Sequence, residues 1–272
     1  MAAASPRILL TGAAGVIGAD LRNGLAGRYP LVRLTDLRDT GPARSGEETV
    51  CADLTSLDET LAVTLDIDVV LHFAGVPREG PWDLILANNI EATFNVFEAA
   101  RRNRVRRVVY ASSNHVVGFY RNERALGVTE PARPDSRYGV SKLFGEGLGR
   151  LYADKHGLSV VCLRIGSYRR EPDNHRQLAT WCSPRDLLAL VVRCIEAPAL
   201  HFEVFYGVSG NRRRRWSDDA ERKIAFTPQD DAERYAGRFG DVPPSDTRGP
   251  AAQFHGGHLA AMEFDGDPEA ID

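Results

Sequence analysis

The sequence has little cysteine and no long apolar run. Its four cysteines form no CxxC pair and show no spacing with histidine that suits a metal ion. We therefore interpret them as reduced, mostly buried thiols and expect no metal site. No apolar stretch approaches the length of a bilayer span, and the N-terminal residues lack the apolar segment of a signal peptide. These absences predict a cytoplasmic protein that is not bound to a membrane.

Neither sign of charge is in large excess, since the formal net charge at pH 7 is −3. This balance argues against a general nucleic-acid binder, which normally carries a basic surplus. One basic run, Arg212–Arg215, stands out, and we interpret it as a solvated loop, with contact to an anion as the alternative. The length of 272 residues and the hydrophobic content of 43% predict a single domain over residues 1–272.

Short apolar segments alternate along the chain with segments of helical length. The predicted strands are Arg7–Thr11, Leu31–Asp36, Val69–Phe73, Val105–Ser112, Val160–Ile165 and Val204–Tyr206. The predicted helices cover residues 16–28, 55–65, 82–103, 138–156 and 184–196. Near-continuous valine, isoleucine and leucine is typical of parallel strands that are buried on both faces. The alternation therefore predicts an α/β fold, a Rossmann-like doubly wound parallel sheet.

A glycine-rich turn, Gly12-Ala13-Ala14-Gly15-Val16-Ile17-Gly18, follows the first predicted strand. Glycines at these positions allow a tight turn, close approach to a pyrophosphate and close helix packing. The helix that begins at Val16 and Ile17 would direct its N-terminal amides at the phosphates. The turn therefore predicts a dinucleotide site.

Asp36 ends the second predicted strand, 18 residues after Gly18. A carboxylate at this place accepts hydrogen bonds from the adenosine ribose and repels a 2′-phosphate, which favours NAD over NADP. Arg33 and Arg38 lie close by in sequence and weaken that preference. The alternative is that Asp36 is only a turn residue.

Two further segments fit the same cofactor. Asp53 and Leu54 follow a short apolar stretch and would meet the adenine, although Asp53 could equally be a helix N-cap. Ala74 and Gly75 end the third predicted strand, where small residues would let the backbone approach the cofactor. His72, two residues earlier, is interpreted as a packed core histidine. Residues 1–166 are thus predicted to be mainly an NAD-binding core.

Residues 167–272 are predicted to be mainly substrate-side segments with a C-terminal tail. Two short helices are predicted at Ser217–Ala225 and Pro228–Phe239, and residues 241–272, rich in proline, glycine and aspartate, are expected to be extended or looped. In doubly wound folds, such C-terminal material commonly closes over the strand ends, where ligands bind.

Tyr138 and Lys142 stand four residues apart, so they share one face of the predicted helix. An ammonium beside a phenol favours the phenolate, which would let Tyr138 act as a base. Ser113, at the end of a predicted strand, could hold the substrate oxygen while its proton leaves. This set of residues suits the removal of a proton from an alcohol as a hydride leaves the same carbon.

Taken in order, these motifs resemble the extended short-chain dehydrogenase/reductase superfamily. The resemblance also includes Asn89 and covers about residues 7 to 240. It implies that Tyr138 is the catalytic base, that Lys142 lowers the pKa of Tyr138 and holds the nicotinamide ribose, and that Ser113 orients the reacting hydroxyl. It further implies that Asn89 lies behind them and relays protons through water.

Two stretches resemble one family within it, the uronate dehydrogenases, which oxidise glucuronate or galacturonate at C1. They run from Ser112 to Tyr120 and from Arg164 through Arg176 to Trp181. The residues that the resemblance places on the sugar are Pro77, Ser113, Asn114, His115, Tyr138, Ser167 and Arg176, with Ile165 on the cofactor. The implied product is an aldarolactone. Pro77 departs from the family, which often has serine there, and so lacks a hydroxyl for the substrate.

Arg176 is the residue we expect to determine specificity. Its guanidinium matches a planar carboxylate with two parallel donors. The alternative is that Arg176 forms an ion pair with Glu171 or Asp173.

Two other functions remain open. A nucleotide-sugar epimerase or dehydratase of the same superfamily would share Ser113, Tyr138, Lys142 and NAD, but would normally need a larger C-terminal lid. A non-catalytic dinucleotide sensor is less favoured, because such proteins often lose the tyrosine and lysine. The sequence does not rank glucuronate against galacturonate, and it does not fix the lactone ring size.

We also expect a homo-oligomer. Gly145, Gly147 and Gly149 lie in the helix that carries Tyr138, where glycine costs about 1 kcal/mol per position relative to alanine. A neighbouring helix or a partner subunit would explain them.

Overall fold

The computed structural model describes residues 5–240 and 249–271, which form an α/β fold around a seven-stranded parallel sheet. The strands are β1 (Arg7–Thr11), β2 (Leu31–Asp36), β3 (Glu47–Cys51), β4 (Val69–His72), β5 (Arg107–Ser113), β6 (Ser159–Ile165), β7 (Ser167–Tyr168), β8 (Trp181–Cys182) and β9 (Phe202–Gly207). The α-helices are α1 (Val16–Leu25), α2 (Leu57–Thr64), α3 (Trp82–Ile85), α4 (Ala92–Arg102), α5 (Arg137–His156), α6 (Gln177–Thr180), α7 (Pro184–Glu196), α8 (Ala220–Ile224), α9 (Pro250–Gln253) and α10 (His258–Ala261). The predicted Rossmann-like fold is thereby confirmed.

The strand order in the main sheet is β3-β2-β1-β4-β5-β6-β9, and β7 pairs with β8 separately. β1 pairs in parallel with β2 on one side and with β4 on the other. Every residue of β4 and β5 is buried, as expected for central strands that are covered on both faces. The chain order reverses between β1 and β4, and ligands of doubly wound folds bind at such a point, beyond the carboxyl ends of the strands.

Several boundaries differ from the predictions for physical reasons. β3 was not predicted because its sequence, Glu-Glu-Thr-Val-Cys, is charged and exposed, as is common for a strand at a sheet edge. The helix predicted over residues 82–103 contains a π-helix, Leu86–Glu91, between α3 and α4. The helix predicted at Pro228–Phe239 is a 3₁₀-helix, Ala232–Arg238. Two further 3₁₀ segments among the described residues are Asn114–Val117 and Pro268–Ala270.

The tail is more ordered than expected where it is described. Residues 241–248 lie outside the described residues, but α9 and α10 occupy part of the segment predicted to be extended or looped. The backbone N–H groups of His255 and Gly256 donate to the carbonyl oxygens of Tyr120 and Gly118, at 2.9 and 2.8 Å. This part of the tail therefore packs on the loop that follows β5.

The chain folds into two compact units. The first unit contains the described residues of Met1–Ala111, Phe144–Cys162 and Cys194–Glu203, and the second unit contains those of Ser112–Leu143, Leu163–Arg193 and Val204–Asp272. β5, β6 and β9 each begin in the first unit and end in the second. The chain therefore enters the second unit three times.

The cysteines are free, with Cys51 exposed and Cys162, Cys182 and Cys194 buried, which confirms the prediction of mostly buried thiols. Within the residues that the structure describes, no helix is both long enough and apolar enough to cross a bilayer.

Candidate active site

The glycine turn after β1, in the first unit, leaves no room for side chains at two positions. Gly12 has a φ of +70°, and a Cβ atom there would lie 2.7 Å from the backbone of Phe73 and Ala74. A Cβ atom at Gly18 would lie 2.1 Å from the carbonyl oxygen of Gly12. Only glycine allows this close approach of β1, β4 and α1.

Gly15 is the N-cap of α1, and no described side chain caps the helix there. Val16, the first helical residue, is 75% exposed, and Ile17 is half-buried. The first-turn N–H groups thus lack a side-chain acceptor, an arrangement that suits a bound phosphate.

A cavity of about 630 Å³ opens beside this turn. The predicted site residues that line it are Gly12, Gly15, Val16, Asp36, Asp53, Leu54, Ala74, Gly75 and Pro77. Pro77, which was expected on the sugar, therefore lies with the expected cofactor residues. Ile17 and Gly18 are not part of the lining, and Gly18 instead packs α1 on the turn.

Asp36 holds the glycine turn and faces the same cavity. Its carboxylate accepts hydrogen bonds from the backbone N–H groups of Ala14 and Arg38, both at 3.0 Å. Asp36 is therefore more than a turn residue. The Arg38 guanidinium lies 3.5 Å from Asp36 and is largely exposed, whereas Arg33 pairs with Glu48 at 2.8 Å and does not line the cavity. Of the two nearby arginines, only Arg38 could meet a ligand here.

Asp53 does not cap a helix, so that alternative is wrong. Ser56 is the N-cap of α2 and accepts a hydrogen bond from the backbone N–H of Glu59. The Asp53 carboxylate instead accepts from the backbone N–H and the hydroxyl of Thr55, at 2.9 and 2.8 Å. This turn holds Asp53 at the cavity wall.

Asn89 anchors the loop that follows β4. Its Oδ1 accepts from the Val76 N–H at 2.7 Å, and its Nδ2 donates to the Val76 carbonyl at 3.0 Å. Gly75 has a φ of +130°, and a Cβ atom there would lie 2.9 Å from Asn89 Oδ1. The π-helix thus supplies a buried amide that positions the loop.

His72 is a core residue, as predicted. It is fully buried, and its two ring nitrogens lie 2.9 and 3.2 Å from the hydroxyls of Thr11 and Thr93.

Ser113, Tyr138 and Lys142 meet in the second unit. Tyr138 and Lys142 project from the first turns of α5 and are both buried, and Tyr138 is hydrogen-bonded to Ser113. Lys142 Nζ lies 5.7 Å from the centroid of the Tyr138 ring. The spacing of four residues therefore places the ammonium beside the phenol, as expected.

The pKa of Tyr138 runs against the prediction that it is lowered. Burial raises the pKa of Tyr138 to about 12, the hydrogen bond from Ser113 opposes this, and the charge of Asp135 raises it further. Burial also lowers the pKa of Lys142 to about 8. Both shifts have one cause, because a site shielded from water disfavours the charged form of each group.

His115 joins this group through Asp135, a buried carboxylate. His115 Nδ1 lies 2.7 Å from Asp135 Oδ2, so Nδ1 carries a proton and donates it. The backbone N–H of His115 donates to Ser113 Oγ at 3.2 Å. The rings of His115 and Tyr138 meet edge to face, with centroids 5.8 Å apart. Asp135 therefore fixes the ring of His115 beside Tyr138.

Three glycines from three segments crowd the Asp135 carboxylate. A Cβ atom at Gly118 or at Gly256 would lie 1.8 Å from Asp135 Oδ2, and one at Gly139 would lie 3.3 Å from Oδ1. We call Asp135 with Gly118, Gly139 and Gly256 the glycine cage. A side chain at Gly118 or Gly256 would collide with the carboxylate, whereas the nearest atom to a Cβ at Gly139 is the carbonyl oxygen of His115, at 2.6 Å.

Asn114 and Ser167 have contrasting surroundings. Asn114 Nδ2 is buried and has no hydrogen-bond partner among the described residues. Ser167 Oγ lies 2.8 Å from the hydroxyl of Thr180.

Ile165 ends β6 and is buried, and a Cβ atom at Gly207 would lie 3.1 Å from its Cγ1.

Arg176 is half-buried and is not part of an ion pair with any described residue. Its Nη2 donates to the carbonyl oxygen of His255, and its Nε is buried without a hydrogen-bond partner among the described residues. Burial lowers the pKa of the guanidinium, and the charge of Asp135 opposes this. A half-buried cation with a buried donor left unused is costly in a protein and points to an anionic ligand.

The predicted alternative for Arg176 is wrong. Asp173 pairs with Arg169 at 3.3 Å, and Glu171 pairs with Arg238 at 2.6 Å. Both carboxylates are exposed. Arg169 lies four residues before Asp173, whereas Arg238 comes from a distant segment of the second unit.

Several residues of the second-unit site were not identified from the sequence. Asp135 contacts His115, Gly256 lies against Asp135, and Gly257 lies against Arg176, all only because of the fold. A weak signal exists in the paired glycines of Phe254-His255-Gly256-Gly257-His258, since adjacent glycines in a tail can mark a close backbone approach.

Comparison with known proteins places the chain in a family. Residues 8–214 match the model of the NAD dependent epimerase/dehydratase family. The uronate dehydrogenase of Pseudomonas syringae pv. tomato is 39% identical over 96% of this chain and 95% of its own length. The uronate dehydrogenase of Agrobacterium fabrum is 39% identical over 92% of this chain and 95% of its own length.

A solved structure supports the same assignment. Mutant uronate dehydrogenase from Agrobacterium tumefaciens, in complex with NAD, has a TM-score of 0.89 and 38% identity, covering 94% of this chain and 97% of that one. The resemblance found in the sequence is therefore confirmed. The chain belongs to the NAD-dependent epimerase/dehydratase family and, within it, to the uronate dehydrogenases.

Proposed function

We propose that the chain oxidises a hexuronate, glucuronate or galacturonate, at C1 to the aldarolactone, with NAD⁺ as the hydride acceptor and Tyr138 as the base. The observation that carries the proposal is a group of side chains in the second unit. It holds a buried tyrosine hydrogen-bonded to a serine, with a lysine beside it, and a guanidinium that lacks a carboxylate partner.

The residues of the first unit fit NAD. Gly12, Gly15 and the start of α1 would hold the pyrophosphate, and Asp36 would accept from the adenosine ribose. Asp53 and Leu54 would flank the adenine, and Ala74 and Gly75 would let the backbone approach. Asn89 would hold in place the loop that follows β4, through its hydrogen bonds to Val76. NAD⁺, when bound, would supply the hydride acceptor, and the residues named here would position it.

Tyr138 would take the proton of the anomeric hydroxyl as the hydride leaves C1. Ser113 would hold the reacting oxygen, and the ammonium of Lys142 would stabilise the phenolate and bind the nicotinamide ribose. The substrate loses one hydride and one proton, so a hemiacetal becomes a lactone. No second nucleophile is needed, and the lactone can open in water afterwards.

The polar side chains around Ser113 would hold the sugar. Asn114 offers an amide without a protein partner, and His115, with its proton on Nδ1, offers Nε2 as an acceptor for a sugar hydroxyl. Ser167 would add a hydroxyl. Arg176 would bind the carboxylate with two donors of its planar guanidinium.

One assay tests the proposal. Purified protein is mixed with NAD⁺ and glucuronate or galacturonate, and NADH is followed by absorbance, with glucose and galactose as controls. We expect NADH with at least one uronate. Equal rates with the neutral sugars would contradict the role given to Arg176, and no NADH with either uronate would contradict the proposal.

Asp36→Ala tests the cofactor site. Loss of the carboxylate removes the repulsion of a 2′-phosphate and releases Arg38, which lies 3.5 Å away. We expect kcat/KM for NADP⁺ relative to NAD⁺ to rise about tenfold or more, the effect of about 1.4 kcal/mol. Asp39→Ala is the control, because Asp39 is exposed and does not line the cavity. An unchanged ratio in Asp36→Ala would contradict the assignment of Asp36 to the ribose.

Gly257→Ala tests whether the tail positions Arg176. Gly257 has a φ of +60°, and a Cβ atom there would lie 2.4 Å from Arg176 Nε. We expect KM for hexuronates to rise about tenfold, with NAD binding unchanged. The matched control is Gly157→Ala, since Gly157 has a φ of +70° with nothing within 4 Å. Both variants bear a backbone cost of about 1–2 kcal/mol, so an equal rise in KM would assign the effect to strain.

The homo-oligomer and the cytoplasmic location remain proposals. Gly145 and Gly149 do not support an oligomer, because Cβ atoms there would lie 2.2 Å from Tyr110 and 2.8 Å from Val160, within the chain's own core. Only Gly147 is open to solvent. The support comes instead from large apolar side chains that are exposed on helices of the first unit: Trp82, Leu84, Leu86, Phe94 and Leu151. Light scattering that gives the monomer mass at working concentration would contradict the oligomer.

A further inference from the structure

A second cavity, of about 560 Å³, is lined entirely by residues of the second unit. Arg176 and Thr180 line it, and Thr180 contacts Ser167 of the proposed sugar site. Arg213 and Arg215, from the arginine run, line it as well. The cavity is in the range of about 300–1,000 Å³ that holds drug-sized ligands.

The two arginines of the run differ in how their charges are matched. Arg213 donates to both carboxylate oxygens of Glu233, each at 2.8 Å, so its charge is neutralised. The side chain of Arg215 is exposed, forms no ion pair with any described residue, and donates a hydrogen bond to the backbone carbonyl of Glu123 at 3.4 Å. Glu123 also lines the cavity, but its carboxylate pairs with neither Arg176 nor Arg215. Arg215 is therefore an unmatched cation on the cavity wall.

The charges of Arg176 and Arg215 act on the same imidazole. Burial lowers the pKa of His255, the hydrogen bond to the Arg124 carbonyl raises it, the charges of Arg176 and Arg215 lower it again, and the charge of Glu123 raises it. His255 lines the cavity too. The guanidinium groups of Arg176 and Arg215 therefore lie near one imidazole on the same cavity wall, and Glu123 offsets only part of their charge.

We propose that Arg215 is a second anion subsite, and this proposal rests on the function proposed above. Arg215 would bind the carboxylate of a further uronate residue, which is linked to C4 of the sugar that is oxidised. C4 is next to C5, the carbon that bears the carboxylate assigned to Arg176, so a second ring would leave the sugar site beside Arg176. One unmatched guanidinium suits one carboxylate, which has a single charge and two acceptor oxygens. The substrate class is then a short oligouronide with a free anomeric hydroxyl, and the reaction at C1 is unchanged.

Steady-state kinetics with NAD⁺ test the subsite, using galacturonate, α-1,4-digalacturonate and glucose 6-phosphate. We expect Arg215→Gln to lower kcat/KM for digalacturonate about tenfold, or 1.4 kcal/mol, and to leave galacturonate within about twofold. Arg214→Gln is the matched control. It removes the same charge one residue away, but Arg214 lines a different cavity, with Asp218 and Phe226. We expect Arg214→Gln to leave both substrates unchanged.

With galacturonate turned over, each other kinetic outcome overturns the subsite. If Arg215→Gln lowered kcat/KM equally for galacturonate and digalacturonate, Arg215 would be assigned to the sugar that is oxidised. If Arg214→Gln lowered kcat/KM for digalacturonate as much as Arg215→Gln does, the effect would come from the overall charge of the region. A loss confined to glucose 6-phosphate would assign Arg215 to a phosphate. Calorimetric titration of digalacturonate into the NADH complex of each variant separates the two proposals. If digalacturonate binding depends on Arg215 but no uronate is turned over, the proposed function is contradicted and the subsite is supported. If galacturonate is turned over but digalacturonate binding does not depend on Arg215, the subsite is contradicted and the proposed function is supported.

Discussion

We expect Tyr138→Phe to lower kcat for hexuronate oxidation by about 10²–10⁴-fold, the usual contribution of a general base. Phenylalanine keeps the ring in its buried place beside His115 and removes only the hydroxyl that is bonded to Ser113. NADH formation measures the rate, and quenching of protein fluorescence by NADH measures cofactor binding, which we expect to change little.

Tyr152→Phe is the control for Tyr138→Phe. Tyr152 lies on the same helix, α5, is also buried, and donates to Glu98 at 2.9 Å, within the first unit. Loss of the Tyr152 hydroxyl is expected to lower the free energy of unfolding by about 1 kcal/mol, for one hydrogen bond, and to leave kcat unchanged. Wild-type activity in Tyr138→Phe would disprove the assignment of the base, and inactivity of both variants would indicate damage to the fold.

The same tyrosine sets the pH dependence. A phenol with a pKa raised to about 12 is mostly protonated at neutral pH, and the ionised fraction grows as the pH rises. We therefore expect kcat/KM to increase between about pH 6 and about pH 8. Lys142, which lies beside Tyr138 and has a pKa of about 8, loses its charge above that pH and no longer stabilises the phenolate, so the increase is expected to become less steep. The residual activity of Tyr138→Phe is expected to lack this rise.

We expect Arg176→Gln to lower kcat/KM for hexuronates about 100-fold, equivalent to about 2.8 kcal/mol, within the range for hydrogen bonds to a charged group. Glutamine keeps a polar side chain but removes the charge that the carboxylate would meet. Arg176→Lys keeps the charge and loses the planar fork, so its loss is expected to be smaller. Slow oxidation of neutral sugars is expected to stay the same, and the ratio of uronate to neutral-sugar kcat/KM is the measurement.

Arg169→Gln is the control for Arg176. Arg169 is exposed and pairs with Asp173, and exposed pairs of this kind contribute little. If Arg169→Gln lost as much kcat/KM as Arg176→Gln, the effect would be one of long-range charge, and the carboxylate contact would have to be abandoned.

The parts of the protein that could be predicted from the sequence depend on local spacing. The glycine turn, the position of Asp36 after β2 and the separation of Tyr138 from Lys142 each lie within one strand–turn–helix unit or one helix. The spacing of residues along the chain was therefore enough to locate them. β3 could not be found in this way, since an exposed edge strand has no apolar run to reveal it.

The parts that could not be predicted depend on contacts between distant segments. The pKa of Tyr138 is governed by burial and by Asp135, and neither can be read from a pair of residues on a helix. Exposed carboxylates near Arg176 looked like partners, but Arg169 and Arg238 satisfy them. Arg176 instead meets the tail at His255, a contact between residues that are far apart in sequence.

The glycine cage also has a consequence for how this chain can change. Gly118 and Gly256 come from separate stretches, yet both are required by one carboxylate. A side chain acquired at either of them is tolerated only if Asp135 becomes smaller, and His115 then loses its partner. These two positions can therefore change only together with Asp135. A C-terminal tail taken from another protein would therefore need glycine at position 256 to be compatible with Asp135.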